Sequence, residues 1–172
     1  KAHQFVAHFM LEDFAERQNL ISNAAVENMK AVLAIVDLFD ECRVVTVPLP
    51  AFDYQAASNQ DDYLFLFERC AAKVSRLLSM VEDAGRRMAL EILPGAIVGG
   101  IDGFLRLCEH LGSDTLGFNF DTGHAWACKE NLYLIPAKLG SRILGTHLCD
   151  NFGHENLSLR PGAGSIDWPR LI

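Results

Sequence analysis

Short β-branched runs alternate along the chain with longer stretches in which apolar residues return every three or four positions. Gln4 to Phe9 reads as a first strand. Beyond a polar loop, Val26, Met29, Val32, Leu33 and Val36 share one helical face, with Ser22 or Asn23 in the N-cap position. Arg43 to Val47 is short and apolar enough for a buried parallel strand, and Pro48-Leu49-Pro50 is expected to end it because proline cannot donate to the ladder. Asp61 or Asp62 can cap a long helix whose stripe is Leu64, Phe67, Cys70, Ala71, Val74, Leu77, Leu78 and Val81, stopped by Gly85. Met88 to Leu93 predicts a strand, Phe104 to Leu111 a helix closed by Gly112, and Leu116 to Phe120 another strand. Leu132 to Leu139 predicts a helix closed by Gly140, and Arg142 to Leu148 the last strand.

Five strands with four intervening helical segments predict an α/β fold, a parallel sheet covered by helices. A doubly wound open sheet and a (β/α) barrel satisfy this pattern equally. No G-x-G-x-x-G follows the first strand and no G-x-x-x-x-G-K-[ST] occurs, so nucleotide-binding open sheets lose support and the barrel gains. A complete barrel takes about 250 residues. Five βα units in 172 residues therefore predict a partial TIM barrel. The chain starts at Lys1 without an initiator Met and stops just after Asp167-Trp168-Pro169, which looks like the opening of a further helix. Residues 1–172 are thus expected to be a single, truncated domain, whose exposed sheet edges would be covered by missing sequence or by a homo-oligomeric contact.

Composition narrows the partners. Half of the residues are hydrophobic, enough for one sizeable core, and 15 Lys and Arg against 22 Asp and Glu leave a net charge of −7 that disfavours nucleic acid. No apolar run approaches the ~18 residues of a membrane span and no secretory signal opens the chain. Five widely spaced cysteines without a C-x-x-C pair fit reduced thiols, and a cytoplasmic location is expected.

His8, Glu91, Asp121, His124, His147 and Asp150 all fall within or just beyond the C-terminal ends of predicted strands. In a barrel these ends share the face on which active sites are built. Glu91 and Asp121 are 30 residues apart and Asp121 and His147 are 26 apart, each about one βα unit. Two oxygen donors and one nitrogen donor suit Mn, Mg, Co or Zn as a divalent ion, and the lack of thiolate opposes a structural zinc. Each residue also has a plain structural role open to it: Glu91 a cap, Asp121-Thr122-Gly123 an ordinary turn, His147 a core histidine. Asp150 stands where it can orient the His147 ring.

The segments Leu90-Glu91-Ile92-Leu93-Pro94-Gly95, Leu116 to His124, Thr146-His147-Leu148-Cys149-Asp150-Asn151 and Pro161 to Trp168 resemble, in order and spacing, the motif series of the xylose-isomerase-like TIM barrel superfamily, including its sugar phosphate isomerase/epimerase family. Asn19-Leu20-Ile21-Ser22 resembles the loop before an early helix in those proteins. The resemblance implies one divalent metal ion held by Glu91, Asp121, His147 and a later Glu for which the chain has no counterpart. It implies a substrate-binding or second-metal role for His124 and a cavity-lining role for His8. Arg160, near the Pro-Gly turn, is a candidate for a phosphate or hydroxyl, with a solvated arginine as the alternative.

The DNA-repair endonucleases of the superfamily carry a His-Pro-Gly where this chain has Val47-Pro48-Leu49, and an Asp-x-His where it has Asn156 and Ser158; only a shifted loop would let His154 compensate. The resemblance thus implies a divalent-metal-dependent isomerase or epimerase acting on a sugar or sugar-derived hydroxy-carbonyl compound through an enediolate, with Glu91 as ligand and acid/base. An inosose-type dehydratase, an abasic-site endonuclease and a non-catalytic sugar- or metal-binding barrel are the alternatives.

Overall fold

A computed structural model describes residues 2–53 and 59–172. Five parallel strands, β1 (Gln4–Val6), β2 (Val44–Leu49), β3 (Arg87–Ile92), β4 (Gly117–Asp121) and β5 (Ile143–His147), pair in sequential order. The crossovers carry α1 (Arg17–Ile21), α2 (Ala24–Val36), α3 (Gln60–Asp83), α4 (Ile101–Leu111), α5 (Thr122–Ala127) and α6 (Ile135–Leu139), and α7 (Trp168–Leu171) follows β5.

Side-chain alternation along the strands separates two faces. Val45, Val47, Leu49, Met88, Leu90, Ile92, Phe118 and Phe120 join the apolar core under the helices, where Phe104 of α4 meets Phe118 edge-on at 4.9 Å between ring centroids. The intervening Thr46, Glu91, Asn119 and Asp121 are buried on the opposite, concave face. Curvature is decided there. In a flat sheet β1 and β4 would lie three spacings, about 14 Å, apart, yet Gln4 Nε2 donates to Asn119 Oδ1 at 2.8 Å and to Thr46 Oγ1 at 2.6 Å. Gly145 in β5 completes the convergence, because a Cβ there would stand 2.5 Å from Gln4 Oε1 and 2.6 Å from Asn119 Oδ1. The sheet is an arc of a barrel with sequential strand order, as the pattern predicted.

Several local expectations are corrected. β1 stops at Val6, and His8–Phe14 forms a 3-10 helix rather than continuing the strand; Arg17–Ile21 is helical where a loop was expected. Pro48 does not end β2. Carbonyls of Arg43 and Leu49 accept from Arg87 and Leu93, on the β3 side, while that of Thr46 accepts from Ala7, so Pro48, two residues on from Thr46, faces the side on which β1 has already finished. No ladder partner is lost there. The cap of α3 is Asn59, whose side chain accepts from Asp62 N at 3.0 Å, rather than Asp61 or Asp62. Leu64 is 49% exposed and Leu66 takes its place in the buried stripe with Cys70, Val74, Leu77 and Val81. The predicted 132–139 helix is divided into a 3-10 turn, Leu132–Leu134, and α6, with Pro136 in the first turn of the latter. Asp167 precedes α7 as expected, and all five cysteines are free.

Candidate metal centre

Three consecutive strands deliver three potential ligands to one end of the arc. Glu91 is the penultimate residue of β3, Asp121 ends β4 and His147 ends β5, paired with Asp121 in register. Strand pleating sends all three side chains to the concave face. Glu91 is 2% and Asp121 8% exposed, burial that a carboxylate tolerates only with compensating partners.

Those partners divide each carboxylate into a held oxygen and a presented one. Asn119 Nδ2 donates to Glu91 Oε2 at 3.2 Å, while Glu91 Oε1 lies 3.2 Å from His147 Nδ1 and 3.5 Å from His124 Nε2. Asp121 Oδ1 accepts from His124 N at 2.8 Å, capping α5, and from the Cys149 thiol at 3.4 Å. Its Oδ2 is 3.6 Å from His147 Nδ1 and 3.8 Å from His124 Nε2. The expected turn at Asp121-Thr122-Gly123 is therefore the first turn of a helix, which directs His124 into the cavity. Thr122 Oγ1 donates to the Cys149 carbonyl at 2.6 Å and accepts from Cys149 N at 2.9 Å, fastening this helix to the chain leaving β5.

Burial acts to raise the Glu91 pKa, but the hydrogen bond from His124 acts against it and the carboxyl lies below its ordinary value. Glu91 is ionised at neutral pH. Burial, followed by the Asp121 charge, pushes the Cys149 thiol up to about 11, so it donates a hydrogen bond and offers no thiolate.

The donor set fits a divalent ion. For metal–ligand distances of about 2.0–2.2 Å, ligand atoms at tetrahedral corners stand about 3.3–3.6 Å apart. His147 Nδ1 lies 3.2 Å from Glu91 Oε1 and 3.6 Å from Asp121 Oδ2. Two carboxylate oxygens and an unprotonated imidazole nitrogen are all acceptors, and a cation between them removes their mutual repulsion. By distance, Glu91, Asp121 and His124 also form a compact trio within 4.8 Å. Hydrogen bonding tells the two histidines apart: Asn156 Nδ2 sits 3.1 Å from His124 Nδ1, the nitrogen turned away from the carboxylates, whereas the amide beside His147, Asn119 Nδ2 at 3.2 Å, meets the same Nδ1 that faces Glu91.

These side chains open on a cavity of about 620 Å³ lined by His8, Glu91, Asp121, His124, His147 and Asn156 among others. His8 reaches it from the 3-10 helix after β1. His154 and Arg160 are exposed and are not among the residues lining it. Asp150 is also placed differently from expectation. It is fully buried and accepts from Trp168 Nε1 (2.8 Å), Asn151 N (2.9 Å), Gly162 N (3.0 Å) and Ile166 N (3.2 Å), organising the 150–168 segment instead of orienting His147. Asn119, Thr122 and Asn156 are the supporting residues that sequence reasoning missed. For Asn119 a signal existed, a polar residue two before Asp121 on the inward side of an otherwise aromatic Phe-Asn-Phe alternation.

The profile of the xylose isomerase-like TIM barrel family matches residues 2–172. The chain belongs to this family. Among solved structures, it is similar to the IOLI protein with a bound zinc atom (17% identity, 98% of this chain and 59% of that one, TM-score 0.69). It is also similar to L-ribulose 3-epimerase (23%, 85% and 48%, 0.67) and to the probable 3-DHS dehydratase AsbF of Bacillus anthracis (12%, 90% and 52%, 0.67). At these identities the likeness is one of fold. The chain spans about half the length of these structures, and 22% and 36% of two curated relatives that it matches.

Proposed function

We propose that Glu91, Asp121 and His147 hold one divalent metal ion at which a sugar or sugar-derived hydroxy-carbonyl compound is isomerised or epimerised by proton transfer. The observation that carries this reading is the convergence of an ionised, buried Glu91, Asp121 Oδ2 and His147 Nδ1 at the spacing of a coordination sphere, beside a cavity of sugar-like size. The zinc in the IOLI protein structure and the epimerase among the similar structures support it.

A bound divalent ion would polarise the carbonyl and neighbouring hydroxyl oxygens and stabilise the enediolate charge. Asn119 holds Glu91 Oε2 and so fixes the carboxylate beside the substrate, where it takes a proton from the carbon next to the carbonyl. Return of a proton to the other carbon isomerises; return to the opposite face epimerises. His124 holds a substrate oxygen. A dehydratase reading, favoured by the similarity to AsbF, shares the proton abstraction and differs in that hydroxide leaves.

Elemental analysis of purified protein, followed by titration of the metal-free form with Mn²⁺ and Zn²⁺, tests the site. One equivalent should bind, and Glu91→Gln should weaken binding at least tenfold. NMR in deuterated water over a panel of ketoses and inososes tests the chemistry, with solvent deuterium entering at the abstracted carbon and loss of water marking a dehydratase. Absence of metal binding, or unchanged affinity in Glu91→Gln, would refute the centre.

A further inference from the structure

We infer that Asn156 locks His124 in the tautomer that carries its proton on Nε2, so that His124 presents an N–H to the cavity and binds an oxygen of the substrate instead of ligating metal. The substrate role rests on the proposed function; the tautomer does not.

The argument starts at an unambiguous donor. The backbone N–H of Ser158 points at Asn156 Oδ1 over 3.1 Å, and a peptide N–H can only donate. This identifies the amide oxygen, since the reversed amide would set two donors face to face. With Oδ1 assigned, the NH₂ group of Asn156 is the end that lies 3.1 Å from His124 Nδ1. An amide nitrogen has no lone pair to offer, so Nδ1 must accept. A neutral imidazole accepting at Nδ1 carries its hydrogen on Nε2.

That Nε2 is the atom facing the centre, 3.5 Å from Glu91 Oε1 and 3.8 Å from Asp121 Oδ2. A ring nitrogen bearing hydrogen has no lone pair for a metal ion. His124 is therefore close enough to ligate but has the wrong polarity, whereas its N–H, turned toward Glu91 Oε1, can pass to a hydroxyl or carbonyl oxygen in the cavity. The segment can approach because residue 123 is glycine: a Cβ there would collide with Asn156 Oδ1 and with Cys149 Sγ, at 2.5 Å for the latter. The same loop thus decides how many metal-ligating histidines the site has. Asn156 is a positioning residue, acting through His124.

Exchanging the amide for a carboxylate inverts the polarity while keeping the shape. In Asn156→Asp the side chain still accepts from Ser158 N, but it now requires a hydrogen on His124 Nδ1, which frees the Nε2 lone pair toward Glu91 and Asp121.

The test is a ¹⁵N-imidazole NMR spectrum of the metal-free wild-type protein, with His124 assigned by comparison with His124→Gln. A pattern showing hydrogen on Nε2 is expected; hydrogen on Nδ1 would overturn the inference whether or not metal binds. Asn156→Asp should move the signal to the Nδ1–H pattern and raise bound Zn²⁺ by up to one equivalent over wild type, an increase abolished by adding His124→Gln. An unchanged tautomer in a folded Asn156→Asp protein would also overturn it. Failure of wild type to bind any metal refutes the centre proposed above and leaves the wild-type tautomer measurement standing.

Discussion

Asp150→Asn is the most direct perturbation of the segment that carries Asn156 to the edge of the centre. Asp150 uses Oδ1 for the amides of Asn151 and Ile166 and Oδ2 for Gly162 N and Trp168 Nε1. Asparagine can keep the first pair but turns an NH₂ toward the second. Two charge-assisted hydrogen bonds at about 1.5–3 kcal/mol each are replaced by donor–donor contacts. The Gly162 and Trp168 donors are part-buried, so local rearrangement lets water recover some of this, leaving a net cost of about 3 kcal/mol. At about 1.4 kcal/mol per decade, opening of the segment rises by roughly 100-fold. Amide hydrogen exchange at Gly162 and Ile166 reads that factor directly. Exchange within about threefold of wild type would refute the accounting.

The wild-type protein makes a linked prediction with acid. Burial tends to raise the Asp150 pKa, but hydrogen bonds from Trp168 and from the Ile166, Gly164 and Asn151 amides hold it below the ordinary value. A carboxyl depressed in the folded state contributes stability that is complete above its unfolded pKa, near 3.9, and is lost as pH falls through the lower folded value. Protection of Gly162 and Ile166 should therefore persist down to about pH 4 and fail below it. A midpoint above the ordinary Asp range would show that Asp150 is not stabilised in its ionised form.

Two further outcomes test the support of the centre and the packing beneath it. Asn119→Leu, which removes the donor to Glu91 Oε2, should weaken divalent-ion binding by about 10–100-fold in calorimetric titration while the far-ultraviolet spectrum stays unchanged. Leu66→Ala should cost about 2–5 kcal/mol in urea unfolding because the side chain is fully buried, whereas Leu64→Ala should stay within about 0.5 kcal/mol. Equal effects at the two positions would contradict the buried face of α3.

Much of the architecture follows from periodicity because a parallel barrel strand and its covering helix have distinct repeats. Val45-Thr46-Val47 and Phe118-Asn119-Phe120-Asp121 alternate at period two with apolar residues toward the helices, and Leu66, Cys70, Val74 and Leu77 recur at helical spacing. Boundaries were less legible. Asn59 outcompeted two aspartates as the α3 cap, and Pro48 survived inside a strand because β1 has already finished beside it, which no local pattern records. For the centre, spacing of one βα unit sufficed to align Glu91, Asp121 and His147, because each strand in a parallel sheet ends on the same side.

What the sequence determined by itself was the order of strands and helices and the set of residues at strand ends. Only the tertiary structure decided the curvature, through Gln4 reaching Asn119 across Gly145, since the same βα pattern also satisfies an open sheet. Only tertiary contacts could assign the polar groups: Asp150 to its own loop, Asn119 to Glu91 and Asn156 to His124. The physical reason is common to all three. Periodicity reports which face a side chain occupies, whereas hydrogen bonding depends on atoms brought within about 3 Å by distant parts of the chain.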